Sequence, residues 1–202
     1  MPLGRVYIET FGCQMNVLDT ELILGDLRRR GFEVAPDEQA ADVILFNTCS
    51  IRENAENRVM GTLGRLKGRA EREPNLVIGA FGCMAQKEGL ALVRRMPHID
   101  LVCGTHRYGL LGDLIQETRA TRRPRVAVED ASDLDLDDAP RFNELRPVPF
   151  VAFVQAVRGC DCRCTFCVVP YTKGVERSRP VPEIVEEVRR LVDQGVVEVT
   201  LL

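Results

Sequence analysis

The chain has no tryptophan, three tyrosines, eight phenylalanines and two histidines. These are few platforms for stacking bases, so composition neither supports nor excludes an RNA substrate. Positive charge is not in excess either. Lys and Arg number 27 against 30 Asp and Glu, a formal net charge of −3. That is a poor footprint for a protein gripping phosphates alone; contacts to RNA would have to come from local patches or from further sequence. No apolar run reaches the length of a membrane-spanning helix. The opening Met1-Pro2-Leu3-Gly4-Arg5 leads straight into a strand-like segment and leaves no room for a secretory signal. A cytoplasmic protein is therefore expected. His98 and His106 stand alone and read as surface or loop residues rather than ligands.

What is abundant is cysteine: eight in 202 residues. Cytosolic thiols are kept reduced, so metal binding is a better reading than disulfides. The cysteines form two constellations. The run Cys160-Asp161-Cys162-Arg163-Cys164-Thr165-Phe166-Cys167 contains C-x3-C-x2-C at Cys160, Cys164 and Cys167. Three thiolates can hold three irons of a cubane and leave the fourth open for a reagent. A compact four-cysteine zinc site is the main competitor, although only Cys164 and Cys167 have the paired spacing zinc sites favour. A redox dithiol at those two positions would leave the neighbouring cysteines unexplained.

The second constellation is spread out: Cys13, Cys49 and Cys83, 36 and then 34 residues apart. Its logic lies in the pattern of elements. Arg5–Thr10, Asp42–Asn47, Leu76–Phe81 and Leu101–Cys103 read as strands of a parallel sheet. Helices are expected over Asp19–Arg30, from a capping box at Ser50 and Glu53 onward, over Gln86–Arg95, and more weakly over Tyr108–Thr118. Each of the three cysteines follows the carboxyl end of a strand. In an open parallel sheet those ends share one edge, where ligands bind. The alternative is that each is a small buried hydrophobe, which is the reading preferred for Cys103.

The fold class is α/β. Residues 1–118 are expected to form the parallel-sheet domain and 119–147 a linker. That linker carries a basic knot at Arg119–Arg125, a possible short strand at Val126–Val128, and an acidic stretch from Glu129 to Asp138. Residues 148–202 read as a strand (Phe150–Val157), the cysteine run, a helix (Pro182–Gln194) and a strand (Val196–Leu202). One such βαβ unit cannot enclose its own core.

The segment Gly159–Pro180 (GCDCRCTFCVVPYTKGVERSRP) resembles the cluster loop of the radical S-adenosylmethionine methylthiotransferases. TFGCQMN at Thr10–Asn16, NTCSIRENAENR at Asn47–Arg58 and GCMAQKEG at Gly82–Gly89 extend the resemblance over essentially the whole chain. Together they favour the branch that acts on N6-isopentenyladenosine in tRNA. The Ser-Ile-Arg-Glu segment and Pro170-Tyr171-Thr172 argue against the sister branch, which modifies an aspartate of a ribosomal protein.

The resemblance implies that Cys160, Cys164 and Cys167 hold a [4Fe–4S] cluster whose open iron chelates S-adenosyl-L-methionine, with Phe166 near the adenine. It implies an auxiliary [4Fe–4S] cluster on Cys13, Cys49 and Cys83 that carries the sulfur, a radical step at C2 of the adenine, and a methyl from a second S-adenosylmethionine. It also implies a monomer working away from membranes, with a one-electron donor such as flavodoxin or ferredoxin. The family continues through the rest of a partial (β/α) barrel and a C-terminal β domain that grips tRNA, so the chain reads as truncated. Departures from the pattern are an extra cysteine at 162, expected to point away as a spectator, and Lys173 where arginine is commoner. A non-catalytic iron–sulfur or zinc module remains the alternative from a different class.

Overall fold

The computed structural model describes residues 2–50, 53–129 and 139–202, the side chains of 53–55 excepted. Six strands make one sheet in the order β2-β1-β3-β4-β5-β6: β1 (Arg5–Thr10), β2 (Glu33–Val34), β3 (Val43–Thr48), β4 (Val77–Gly82), β5 (Leu101–Cys103) and β6 (Arg125–Ala127). Every pairing is parallel. The central strands β3 and β4 are buried at every position, as strands covered on both faces must be.

Alternation along β3 sorts its side chains into two cores. Val43 and Leu45 join Ile23 and Leu27 of α1 (Gln14–Arg29) and Leu111 and Ile115 of α6 (Leu111–Thr121). Ile44 and Phe46 join Val59 and Leu63 of α2 (Glu53–Arg65). On that same face lie Ala70 of α3 (Lys67–Arg72), Met84 of α4 (Cys83–Glu88) and Leu92 of α5 (Leu90–Arg95). Burying each large apolar side chain contributes about 1.5–3 kcal/mol, so these two layers hold the sheet flat between its helices.

Two details differ from the sequence reading, one lies partly outside the described side chains, and one places the short strand expected near Val126–Val128 at Arg125–Ala127. α1 starts at Gln14, not Asp19, because Cys13 serves as its N-cap and Asn16 reaches back to it. The helix expected over 86–95 is two short helices, broken at Gly89, whose φ of +49° and ψ of −126° no helix accommodates. The capping box at Ser50 and Glu53 falls partly outside the described side chains; the Ser50 hydroxyl donates to Glu56 at 2.6 Å. Residues 119–147, expected to be a linker, supply the end of α6 and the whole of β6. The acidic positions from Asp130 to Asp138 lie outside the described residues.

The second unit has β7 (Val151–Val154) and β10 (Glu198–Leu201) paired in parallel across α8 (Val181–Asp193), a βαβ unit. Its core is small, chiefly Ala152, Val154, Leu191 and Val196. Phe150, Val181, Val192, Val197 and Leu201 are each more than half exposed. Between β7 and α8, a short antiparallel ladder of β8 (Val157–Arg158) and β9 (Arg177–Ser178) closes the loop that carries the cysteine run.

Candidate metal centre at the sheet edge

Cys13, Cys49 and Cys83 follow β1, β3 and β4, three adjacent parallel strands. The register puts Thr10 opposite Asn47 and Thr48 opposite Gly82, so the three loops leave the sheet nearly level. The edge is also where chain order reverses around β1, the position at which open α/β sheets bind ligands.

A buried polar web fixes the loops. Asn16 donates through Nδ2 to Asn47 Oδ1 at 2.7 Å and to the Thr48 carbonyl at 3.3 Å. Asn47 returns a bond from Nδ2 to the Asn16 carbonyl at 2.7 Å and another to Thr20 Oγ1 at 3.0 Å. Thr48 Oγ1 donates to the Phe81 carbonyl at 2.6 Å and accepts from the Ala85 amide at 3.3 Å. The Cys13 amide and thiol both donate to Asn16 Oδ1, at 3.2 and 3.3 Å.

Two glycines permit the close approach. Gly12 has φ +148°, and a Cβ there would stand 2.8 Å from Cβ of Cys49. Gly82 has φ +98°, and a Cβ there would stand 2.5 Å from the Thr48 carbonyl oxygen. Cys49 and Cys83 are buried and Cys13 is half-buried. Burial pushes the Cys83 thiol up; the charge of Lys173 opposes this, Asp19 and Cys49 add to it, and a hydrogen bond with Thr172 also lowers it. Cys103 stays in the core, its thiol donating to the Arg107 carbonyl at 3.2 Å, and burial pushes it up strongly.

The second constellation sits on a pinched loop. Gly159 has φ +76°, the Cys160 amide donates to the Gly174 carbonyl at 3.1 Å, and the Cys167 amide donates to the Cys164 carbonyl at 3.1 Å. Cys160 and Cys167 are half-buried, Cys162 and Cys164 exposed, and Phe166 is 90% exposed. The neighbouring thiols of Cys160 and Cys164 push the exposed Cys162 thiol up. Among the described residues no three His, Cys, Asp or Glu side chains stand close enough, in this conformation, to hold a metal ion.

The loop after Cys167 brings the two constellations together. α7 (Val169–Thr172) packs beside α4, the helix that Cys83 opens. The Thr172 carbonyl accepts from the Thr105 hydroxyl, and the Lys173 ammonium meets Asp19 Oδ2 of α1 at 2.9 Å. The Tyr108 hydroxyl donates to the same oxygen at 3.1 Å. Cys83 thus lies among residues that follow Cys167 by only five and six positions.

A second polar cluster joins the units. Glu21 of α1 accepts from Arg141 at 2.9 and 2.7 Å and from Arg146 at 2.9 Å. Arg141 and Arg179 both hold Glu187 of α8, at 2.7 and 2.6 Å.

The sequence reading missed Asn16, Asp19, Glu21 and Asn47. Their signal is polarity on a helix or strand face that should be apolar: Asn16, Asp19, Glu21 and Asp26 are all buried on α1. A cleft of about 590 Å³, lined in part by Asp42, Asn75, Arg119 and Arg122, lies at the opposite edge of the sheet. Its arginines are spent on the Leu3 and Pro74 carbonyls and on Asn75.

The donor set suits an iron–sulfur centre better than a hard cation. Thiolates are soft ligands, and at the first site Gly12 and Gly82 let the cysteine-bearing loops approach one another closely. The N-terminus of α1 at Cys13 adds a partial positive charge.

Residues 5–104 match Uncharacterized protein family UPF0004. The chain is also similar to proteins named tRNA-2-methylthio-N(6)-dimethylallyladenosine synthase. That of Syntrophotalea carbinolica is 43% identical over 198 residues, covering 97% of this chain and 44% of the relative. That of Bordetella bronchiseptica is 46% identical, covering 99% and 42%; that of Protochlamydia amoebophila is 42% identical, covering 99% and 43%. The chain spans less than half the length of these curated relatives.

Proposed function

From the match of residues 5–104 to the UPF0004 family we propose that the chain is the N-terminal portion of a tRNA methylthiotransferase. The substrate would be N6-isopentenyladenosine in tRNA, and the site would be cytoplasmic, served by a one-electron donor. No helix among the described residues is long and apolar enough to cross a membrane. The names of the relatives support the reaction class and the tRNA.

The observation that carries the two-site form of this proposal is the packing of α7, which ends at Thr172, against α4, which Cys83 opens. It joins the loop of one cysteine set to the ligand loop of the other. Cys13, Cys49 and Cys83 would hold one [4Fe–4S] cluster, and Cys160, Cys164 and Cys167 a second. When bound, these groups would supply one-electron chemistry on S-adenosylmethionine and a sulfur for insertion at C2 of the adenine.

The remaining work belongs to the protein. The Asn16–Asn47–Thr48 web holds the first ligand loops in register. Gly159 and Gly174 bend the second loop, on which Cys160 and Cys167 are half-buried. Phe166, exposed on that loop, would offer its backbone to the adenine of S-adenosylmethionine. Lys173 and Thr172 close the gap between the two sites and exclude water from Cys83.

The test is iron and acid-labile sulfide per chain after strictly anaerobic reconstitution. About eight of each are expected, four per cubane. Alanine at Cys13, Cys49 and Cys83 together, or at Cys160, Cys164 and Cys167 together, should each halve the count. About four or fewer in the unaltered chain, or bound zinc, would sink the two-cluster reading.

A further inference from the structure

Lys173 and Asp19 form a buried ion pair between the two units, with side chains 10% and 6% exposed. Packing alone does not explain it. A buried pair recovers little net stability over apolar residues of the same shape. A nearby apolar partner is also available, since Lys173 lies 5.9 Å from the ring of Tyr108. Asp19, Cys83 and Arg158 are the charges the ammonium feels, the ring of Tyr108 lies 5.9 Å away, and α7, just before Lys173, packs against α4, which Cys83 opens. Gly174, at φ +77°, turns the chain immediately afterwards; a Cβ there would stand 2.9 Å from the ring of His106. The ammonium is therefore held on Asp19, at the interface where α7 meets the helix that Cys83 opens.

We propose that Lys173 is a positioning residue whose charge, oriented by Asp19, faces and tunes the anionic group bound at Cys13, Cys49 and Cys83. This rests on the two-cluster reading above. A cubane held by thiolates is net negative and becomes more so on reduction, so a fixed cation beside it favours the reduced form. Asp19 works in the opposite sense and sets how much of that effect is felt. The pair also makes the potential of the first site depend on docking of the second cysteine loop, because Lys173 arrives only with that loop.

The experiment uses the full chain with Cys160, Cys162, Cys164 and Cys167 replaced by alanine, so that only the first site loads. Iron is counted first, and the midpoint potential is then read by electron paramagnetic resonance during an anaerobic redox titration. Lys173→Gln should shift the potential negative. Asp19→Asn keeps an acceptor for Lys173 and Tyr108 and should shift it positive. Lys173→Arg should leave it near the unaltered value. An unchanged potential in Lys173→Gln, or shifts of the same sign in Lys173→Gln and Asp19→Asn, would overturn the proposal and leave the pair a structural strut. Failure of the parent chain to take up iron would instead overturn the two-cluster reading, and this inference with it.

Discussion

Arg141 grips Glu21 with two nitrogens, at 2.9 and 2.7 Å, while its third holds Glu187 at 2.7 Å. One guanidinium thus ties α1 of the large sheet to α8 of the small unit. Both carboxylates are less than a tenth exposed. Without Arg141, Glu21 keeps Arg146 and Glu187 keeps Arg179, so the loss is that of charged hydrogen bonds, about 1.5–3 kcal/mol. Arg141→Ala should therefore lower the stability in urea denaturation by about that amount, and Arg141→Lys, which lacks the fork, by less. A change under about 1 kcal/mol in Arg141→Ala would mean the cluster is solvated in solution.

Gly82→Ala tests the cradle. The φ of +98° and the approach to the Thr48 carbonyl leave no room for a methyl group. Strain of this kind costs about 1–3 kcal/mol, and the displaced segment carries Cys83. Iron bound by a chain with only the first site intact should fall by more than half, whereas Gly61→Ala, inside α2 where a Cβ meets nothing, should leave iron unchanged and raise stability by about 0.5–1 kcal/mol. Equal iron in both variants would contradict the close approach.

Asn47→Ala should open the web beneath the same loops. It leaves the Asn16 amide without its 2.7 Å acceptor, a loss of about 1–3 kcal/mol for a buried polar group. Without metal, Cys49 should become accessible to an alkylating reagent while Cys103, away in the hydrophobic core, stays protected. Peptide mass spectrometry after timed alkylation reads both at once. Unaltered labelling of Cys49 would show that the loop is held by other contacts.

Cys162 sits against Cys160 but is exposed. As an adjunct to the run rather than a required ligand, it should be replaceable: Cys162→Ala should retain about eight iron atoms per chain, whereas Cys160→Ala should lose about four. In the metal-free protein, Cys162 and Cys164 should alkylate well before Cys83, whose thiol burial pushes up. Loss of iron in Cys162→Ala would make it a ligand in its own right.

The parts of this fold that were legible in the sequence are those dictated by local burial. Asp42–Asn47 reads as a strand because it is a short apolar run of the kind buried on both faces, and the strand spans Val43–Thr48; Arg5–Thr10 is a strand as read. The cysteines follow strand ends because a parallel sheet leaves its loops there. The start of α1 was missed because a cysteine occupies the N-cap, a position usually held by Ser, Thr, Asp or Asn, and an asparagine does the reciprocal capping. Gly89 was passed over because one glycine inside a helical pattern is usually tolerated. Glu21 with Arg141 and Asp19 with Lys173 are pairs separated by 120 and 154 positions. No local period encodes such a meeting, and each residue taken alone is an ordinary surface charge.

α1 carries four of these appointments on one rod: Cys13 at its cap, Asn16 to the strand ends, Asp19 to Lys173 and Glu21 to both Arg141 and Arg146. Each helical residue advances the azimuth by about 100°. One residue inserted between Cys13 and Asn16 would swing every later side chain by that angle, and the three downstream appointments would all be missed together. The stretch from Cys13 to Glu21 is thus a timing shaft, in which the count of residues carries as much information as their identity.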